Sequence, residues 1–253
     1  MPIEQKIDNF NNIYAAYRNS KNEIEARIID LQNHNQIINL IGFNIELTKF
    51  DAKLRLGMAV TEILLNENYV QEKTGELKEC HLMLYKLADI WFSYDTFFRI
   101  FNLAFNTNST KNILWLDYAT NSDYSSNIII GESLTSVNVE LRQNFGTEIQ
   151  RNALKEYLNY CAEEAKGSQK NRLILIADNI DINNVLPNYS HSDILTITYA
   201  IRNNFVHNGE ITIYPEEFNY KFKNVYLKTL YKYLLVITVV ATTITLQKKL
   251  KNI

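Results

Sequence analysis

The chain has 253 residues, 46% of them hydrophobic and 21% charged, and a formal net charge of −2. A chain of this length and mix buries a core without disulfide or metal staples. Only 7 glycines and 3 prolines argue against a turn-rich β-sandwich, a collagen-like chain or a Pro-rich linker and favour long helices.

The first forty residues read as helical, with Ile24, Ile28 and Leu31 at 3-to-4 spacing. A second helix is expected over about 49–66, broken by Thr74-Gly75. Residues 76–106 form a long helix with apolar side chains all round, including Trp91, Phe92, Phe97, Phe98 and Phe101, which marks a central element. Those aromatics are expected in the core and not as a base-stacking platform.

The stretch 107–146 differs. Short apolar runs, Ile113 to Leu116 and Ile128 to Ile130, alternate with polar turn residues. They read as loops with small strands or helix fragments, an irregular, partly β insertion in a helical scaffold or a seam between two helical halves. Helix resumes over 147–165, and Lys166-Gly167-Ser168 ends it. Leu173 to Ala177 fits strand or helix equally, and 183–189 reads as a loop.

Ser190 and Asp193 have the spacing of a capping box. The helix they open runs to about His207, where Asn208-Gly209 supplies a left-handed stop. A last helix is expected from near Glu216 to Leu246. The whole is read as one mainly helical domain over 1–253, with N-terminal helices in 1–75, a core of 76–106 and 147–253, and the insertion between.

Cys80 and Cys161 have no CxxC partner, which argues against a disulfide framework or a zinc ribbon. No Gly-rich phosphate loop, nucleophile elbow or HExxH occurs, so neither metal nor cofactor is expected. The first residues lack the apolar core of a signal peptide. The most apolar run, Tyr233 to Leu246, is too short to span a bilayer. A soluble cytoplasmic protein, with no membrane partner, is expected.

Charge is unevenly placed. Residues 219–253 carry seven lysines and no Asp or Glu, which leaves −9 on 1–218. Lys221, Lys223, Lys228 and Lys232 are the candidates for a phosphate-binding face.

The chemistry concentrates in Tyr199 to Glu210. Asn203 and His207 share a helix face at i, i+4, with Tyr199 one turn earlier. Arg202 points about 140° away from His207, although its long side chain can wrap toward the same helix end. Histidine moves protons near neutral pH. Arginine offers a fixed fork of donors to a phosphate, and asparagine can orient either. With no carboxylate cluster for a metal, the set fits metal-free RNA cleavage, in which the 2′-hydroxyl is the nucleophile. Asp95, on the long helix beside Trp91, is a candidate partner for Arg202.

Ile201-Arg202-Asn203-Asn204-Phe205-Val206-His207-Asn208-Gly209 resembles the Arg-Asn-x-x-x-His signature of the HEPN superfamily. The resemblance implies a helical bundle that pairs as a homodimer, with the two motifs facing each other in one composite site. Many members are metal-independent endoribonucleases of toxin–antitoxin or phage-defence systems. On this reading Arg202 and His207 match the catalytic pair and Asn203 the polar support, Tyr199 and Asp95 stand as supporting residues, and RNA and an antitoxin are the expected partners. The alternative the resemblance carries is a non-catalytic module binding RNA, a nucleotide or a protein. Asn208 stands where many members continue with glycine, and the insertion matches nothing general in the family.

Overall fold

In a computed structural model, residues 2–33, 40–66, 68, 75–110 and 112–253 are described, those of 32 and 33 as backbone only. Thr74, named above, lies outside them. Nine α-helices and no strand occur among the described residues: α1 (Phe10–Asn33), α2 (Leu40–Ala59), α3 (Gly75–Phe105), α4 (Ser122–Ser125), α5 (Ile128–Asn144), α6 (Glu148–Glu164), α7 (Gly167–Asp178), α8 (His191–His207) and α9 (Tyr220–Leu250). The mainly α expectation therefore holds.

α3 and α9 pack along each other as the central pair. Each is 31 residues long, about 46 Å at 1.5 Å per residue. α1 and α5 lie against α9, and α2 lies against α3. α6, α7 and α8 form a second group, joined to α3 through α8. One continuous apolar core reaches from Phe10 to Leu246.

α9 explains how a threonine-rich helix can be buried on every side. The hydroxyls of Thr238, Thr242, Thr243 and Thr245 each donate to the carbonyl four residues back, at 2.6–2.9 Å. Their polar groups are thus satisfied without water. α9 is long and apolar enough to cross a membrane, but 89% of its most apolar window is buried within the fold. Its apolar surface packs against the neighbouring helices, and the helix is longer than the Tyr233 to Leu246 run that the sequence reading took as too short to span.

The structure moves two helix boundaries and settles one segment that the sequence left open between strand and helix. The second helix is Leu40–Ala59 and not 49–66, because Phe43, Leu47, Phe50 and Leu54 continue its buried stripe upstream. Leu173 to Ala177 lies in α7, with Leu173, Ile176 and Ala177 buried at i, i+3 and i+4 while Leu175 faces out. The last helix begins at Tyr220, where the Asn219 side chain accepts from the Lys221 N–H, after a 3-10 turn at Glu216–Phe218.

The insertion holds no strand among its described residues, which decides for the helix fragments. Thr107 to Gly146 is built of 3-10 turns, α4 and the 17-residue α5. Ile128-Ile129-Ile130 opens α5: the Asn127 side chain caps it, and Ile130, Val137 and Leu141 face the core. A triplet of β-branched residues reads as strand only until the helical period beyond it is counted. Trp115 packs its ring 5.2 Å from Phe97, 5.3 Å from Phe101 and 4.5 Å from Tyr124. The segment therefore completes the core around α3 and is no appendage.

Candidate functional site

α8 carries the motif, and its start is fixed locally. Ser190 and Asp193 form the expected capping box: the Asp193 N–H donates to Ser190 Oγ at 3.2 Å and the Ser190 N–H to Asp193 Oδ2 at 2.8 Å. Ile194, Ile197 and Ile201 are buried and hold one face of the helix in the core. Gly209, at φ +71, ends it. That left-handed residue turns the Glu210 N–H back onto the Asn204 carbonyl at 3.0 Å.

Arg202, Asn203 and His207 meet at this end. Arg202 Nη1 donates to Asn203 Oδ1 at 2.8 Å and lies 3.1 Å from His207 Nε2. Guanidinium nitrogens only donate, so Nε2 is the acceptor and the ring proton sits on Nδ1. The Arg202 Cζ is 4.6 Å from the centroid of Phe92 on α3, a cation–π contact that sets the plane of the fork. Its Nε–H has no acceptor among the described residues. An ideal helix sets Arg202 and His207 about 140° apart; the long arginine side chain wraps toward the same helix end, as its length allows, and brings the three side chains together in one chain.

Asn203 and His207 also line a pocket of about 260 Å³ with Tyr199, Asn208, Glu164 and Lys166. Asn208 Nδ2 donates to Glu164 Oε2 at 3.2 Å, which ties the helix end to α6. A larger cavity of about 430 Å³, beside Lys6, Glu132, Glu140 and Lys232, holds none of the motif residues. Among the described residues, no three His, Cys, Asp or Glu side chains gather as a metal site.

The supporting candidates divide. Tyr199 packs on Trp91, with ring centroids 5.3 Å apart, and borders the pocket. Asp95 accepts from Asn112 Nδ2 at 2.7 Å, a partner on the insertion. Burial pushes its carboxyl above the usual range, and the Asn112 bond and the Arg202 charge only partly offset that.

The four candidate lysines do not form one face. Lys223 is fully buried: its Nζ meets Glu210 Oε1 at 2.5 Å and donates to the Ile211 carbonyl at 3.1 Å and the Tyr214 carbonyl at 2.7 Å. It cannot reach a phosphate, which corrects that assignment. Lys228 is paired with Glu79 at 2.8 Å, and Lys232 with Glu140. Lys221 stands exposed at the start of α9. A run of lysines without acids in sequence says nothing about acids brought in by other helices.

Three participants were not legible as a set. Glu210, Lys223 and Tyr157, whose Oη donates to Glu210 Oε1 at 2.8 Å, lock the chain just past the motif to α9 and α6. Only the position of Glu210, directly after Gly209, hints at it. No family model, curated protein or solved structure matches this chain.

Proposed function

We propose that this protein is a HEPN-like, metal-independent endoribonuclease acting in the cytoplasm as a toxin or phage-defence effector. The observation that supports it is the Arg202–Asn203–His207 cluster at an exposed helix end beside a pocket. RNA brings its own nucleophile, so a base and a fixed cation suffice.

In the reaction, the 2′-hydroxyl takes the place of Arg202 at His207 Nε2 and gives up its proton there. The 2′-oxygen bonds to phosphorus, the bond to the 5′-oxygen breaks, and that oxygen takes a proton from water. The Arg202 fork turns to the phosphoryl oxygens, where charge develops. The products are a 2′,3′-cyclic phosphate and a 5′-hydroxyl.

A second copy of the chain is the natural neighbour of this site. Val206, Ile211, Ile213 and Tyr214 flank His207, and each exposes 40% or more of its surface. Apolar residues grouped this way favour an interface, and a homodimer through them sets two motifs together.

The test is purified protein against total RNA in EDTA, beside His207→Ala, with end-group analysis of the products. Cleavage by the parent alone, with cyclic phosphate ends, is the expected result. Cleavage that needs Mg²⁺ overturns the metal-free step. RNA binding without cleavage assigns the non-catalytic reading instead.

A further inference from the structure

Beside the Arg202–His207 pair, α3 and α8 bring together a set of aromatic rings that are partly exposed. Tyr85 exposes 46% of its surface, and Phe205 and His81 are half-buried. Their rings meet edge to face: Tyr85 and Phe205 at 5.0 Å and 84°, His81 and Tyr85 at 5.2 Å and 81°. Trp91, Tyr94, Phe97, Phe98 and Phe101 of the same helix are closed over by neighbouring elements, while Phe92 and Phe105 are half-buried.

The placement is continuous with the site. Phe205 lies one turn from Arg202 on α8. Phe92, which supports the Arg202 guanidinium, lies two turns from Tyr85 on α3, about 10 Å along the axis. A helically stacked strand advances ~3.4 Å per nucleotide, so a strand held at Arg202 reaches Tyr85 within about three nucleotides. The His81 imidazole is pushed toward its neutral form by burial. The rings are thus apolar where the bases lie, and the Arg202 guanidinium is cationic where the phosphate lies.

We propose that Tyr85, backed edge-on by Phe205 and His81, is a stacking subsite for an unpaired nucleobase within about three nucleotides of the scissile phosphate, which makes single-stranded RNA the substrate class. The inference rests on the ribonuclease reading above. Stacking on an aromatic ring accepts any base, because every base has a π-face. A base within a duplex has both faces already stacked and cannot reach Tyr85 without being flipped out.

The experiment uses a 2′-O-methyl single strand carrying one 2-aminopurine, which lacks the nucleophile and so reports binding alone. The parent should quench the fluorophore, and the blunt duplex of the same sequence should compete poorly. Tyr85→Ala should lose the quench and weaken binding roughly 5- to 150-fold. Tyr85→Phe, which keeps the ring, should bind within about twofold of the parent. Cleavage of the unmodified strand is followed in parallel. A parent that cleaves RNA while Tyr85→Ala binds and quenches equally overturns the stacking subsite and assigns the rings to a protein partner. Equal affinity for duplex and single strand overturns it too. A parent that neither binds nor cleaves removes the ribonuclease reading itself, and the subsite with it.

Discussion

Lys223 and Glu210 meet 2.5 Å apart with both side chains fully out of solvent. The pair joins α9 to the third residue after His207. Tyr157 adds a hydroxyl to the same carboxylate oxygen, and two backbone carbonyls of the 208–219 connection complete the ammonium's shell. Desolvating two charges is costly. What the pair secures is a single path for the chain that leaves the motif.

Removing one partner should therefore cost more than the pair contributes. Lys223→Met leaves a buried, uncompensated carboxylate, and a loss of about 3–5 kcal/mol is expected. For a chain of this length that lowers the melting temperature by about 6–20 °C. Lys223→Met with Glu210→Gln should regain part of the loss, and Lys221→Ala should change stability by less than about 0.5 kcal/mol. A Lys223→Met variant that melts with the parent would show that the pair is not formed in solution.

Arg202 should not tolerate lysine. One guanidinium nitrogen reaches both Asn203 and His207 while the plane rests on Phe92. An ammonium is a point charge with no plane to stack and no fork to hold. We expect kcat of RNA cleavage to fall by about 10²-fold or more in Arg202→Lys, the scale of losing one preorganised donor. Affinity for a non-cleavable strand should change much less. A near-parental kcat would remove Arg202 from the transition state.

Salt dependence should locate the phosphate contacts away from most of the tail. With Lys223 buried and Lys228 and Lys232 ion-paired, these three displace few counterions when RNA binds. Lys228→Ala and Lys232→Ala are expected to leave the log–log salt slope unchanged. A lysine in direct phosphate contact lowers the slope by roughly 0.7 for a single strand when removed. A drop of that size in either variant would mean that the ion pair opens on binding.

His191 should make stability fall in mild acid. Its Nδ1 is hydrogen-bonded to Tyr233 Oη at 2.6 Å. Burial holds its pKa below the ordinary 6.5, against a smaller opposing effect of Asp117. The unfolded chain then takes up the proton first. The stabilisation is complete above pH 6.5 and is lost as pH falls from there through the lowered folded value. His81, lowered by burial as well, acts with the same sign. Melts at pH 7.5 and 5.0 should show a larger drop for the parent than for His191→Asn. Equal drops would mean that His191 takes no part.

Much of the helical architecture is legible locally. Ser190 with Asp193, and Gly209 after His207, mark the ends of α8 by capping chemistry that needs only neighbouring residues. The Arg202–His207 spacing likewise lies within one helix. Periodicity over a long window places α3 near the centre, because side chains apolar on every face have no other place to go.

Tertiary structure decided what depends on residues distant in sequence. Ile128 to Ile130 and Leu173 to Ala177, taken alone, are short enough to suit either state, and the helical spacing of the residues buried with them places both in helix. The tail lysines form a row in sequence, yet Glu79, Glu140 and Glu210 reach them from other elements, and one lysine becomes core. Arg202 and His207 sit 140° apart on an ideal helix, and they meet because Phe92, arriving from α3, gives the guanidinium a surface to lie on. Sequence alone specified which groups were present at the end of α8. The packing of α3, α6 and α9 around that end decided which of them face one another and which are buried, since burial and electrostatic pairing depend on distance in space and not along the chain.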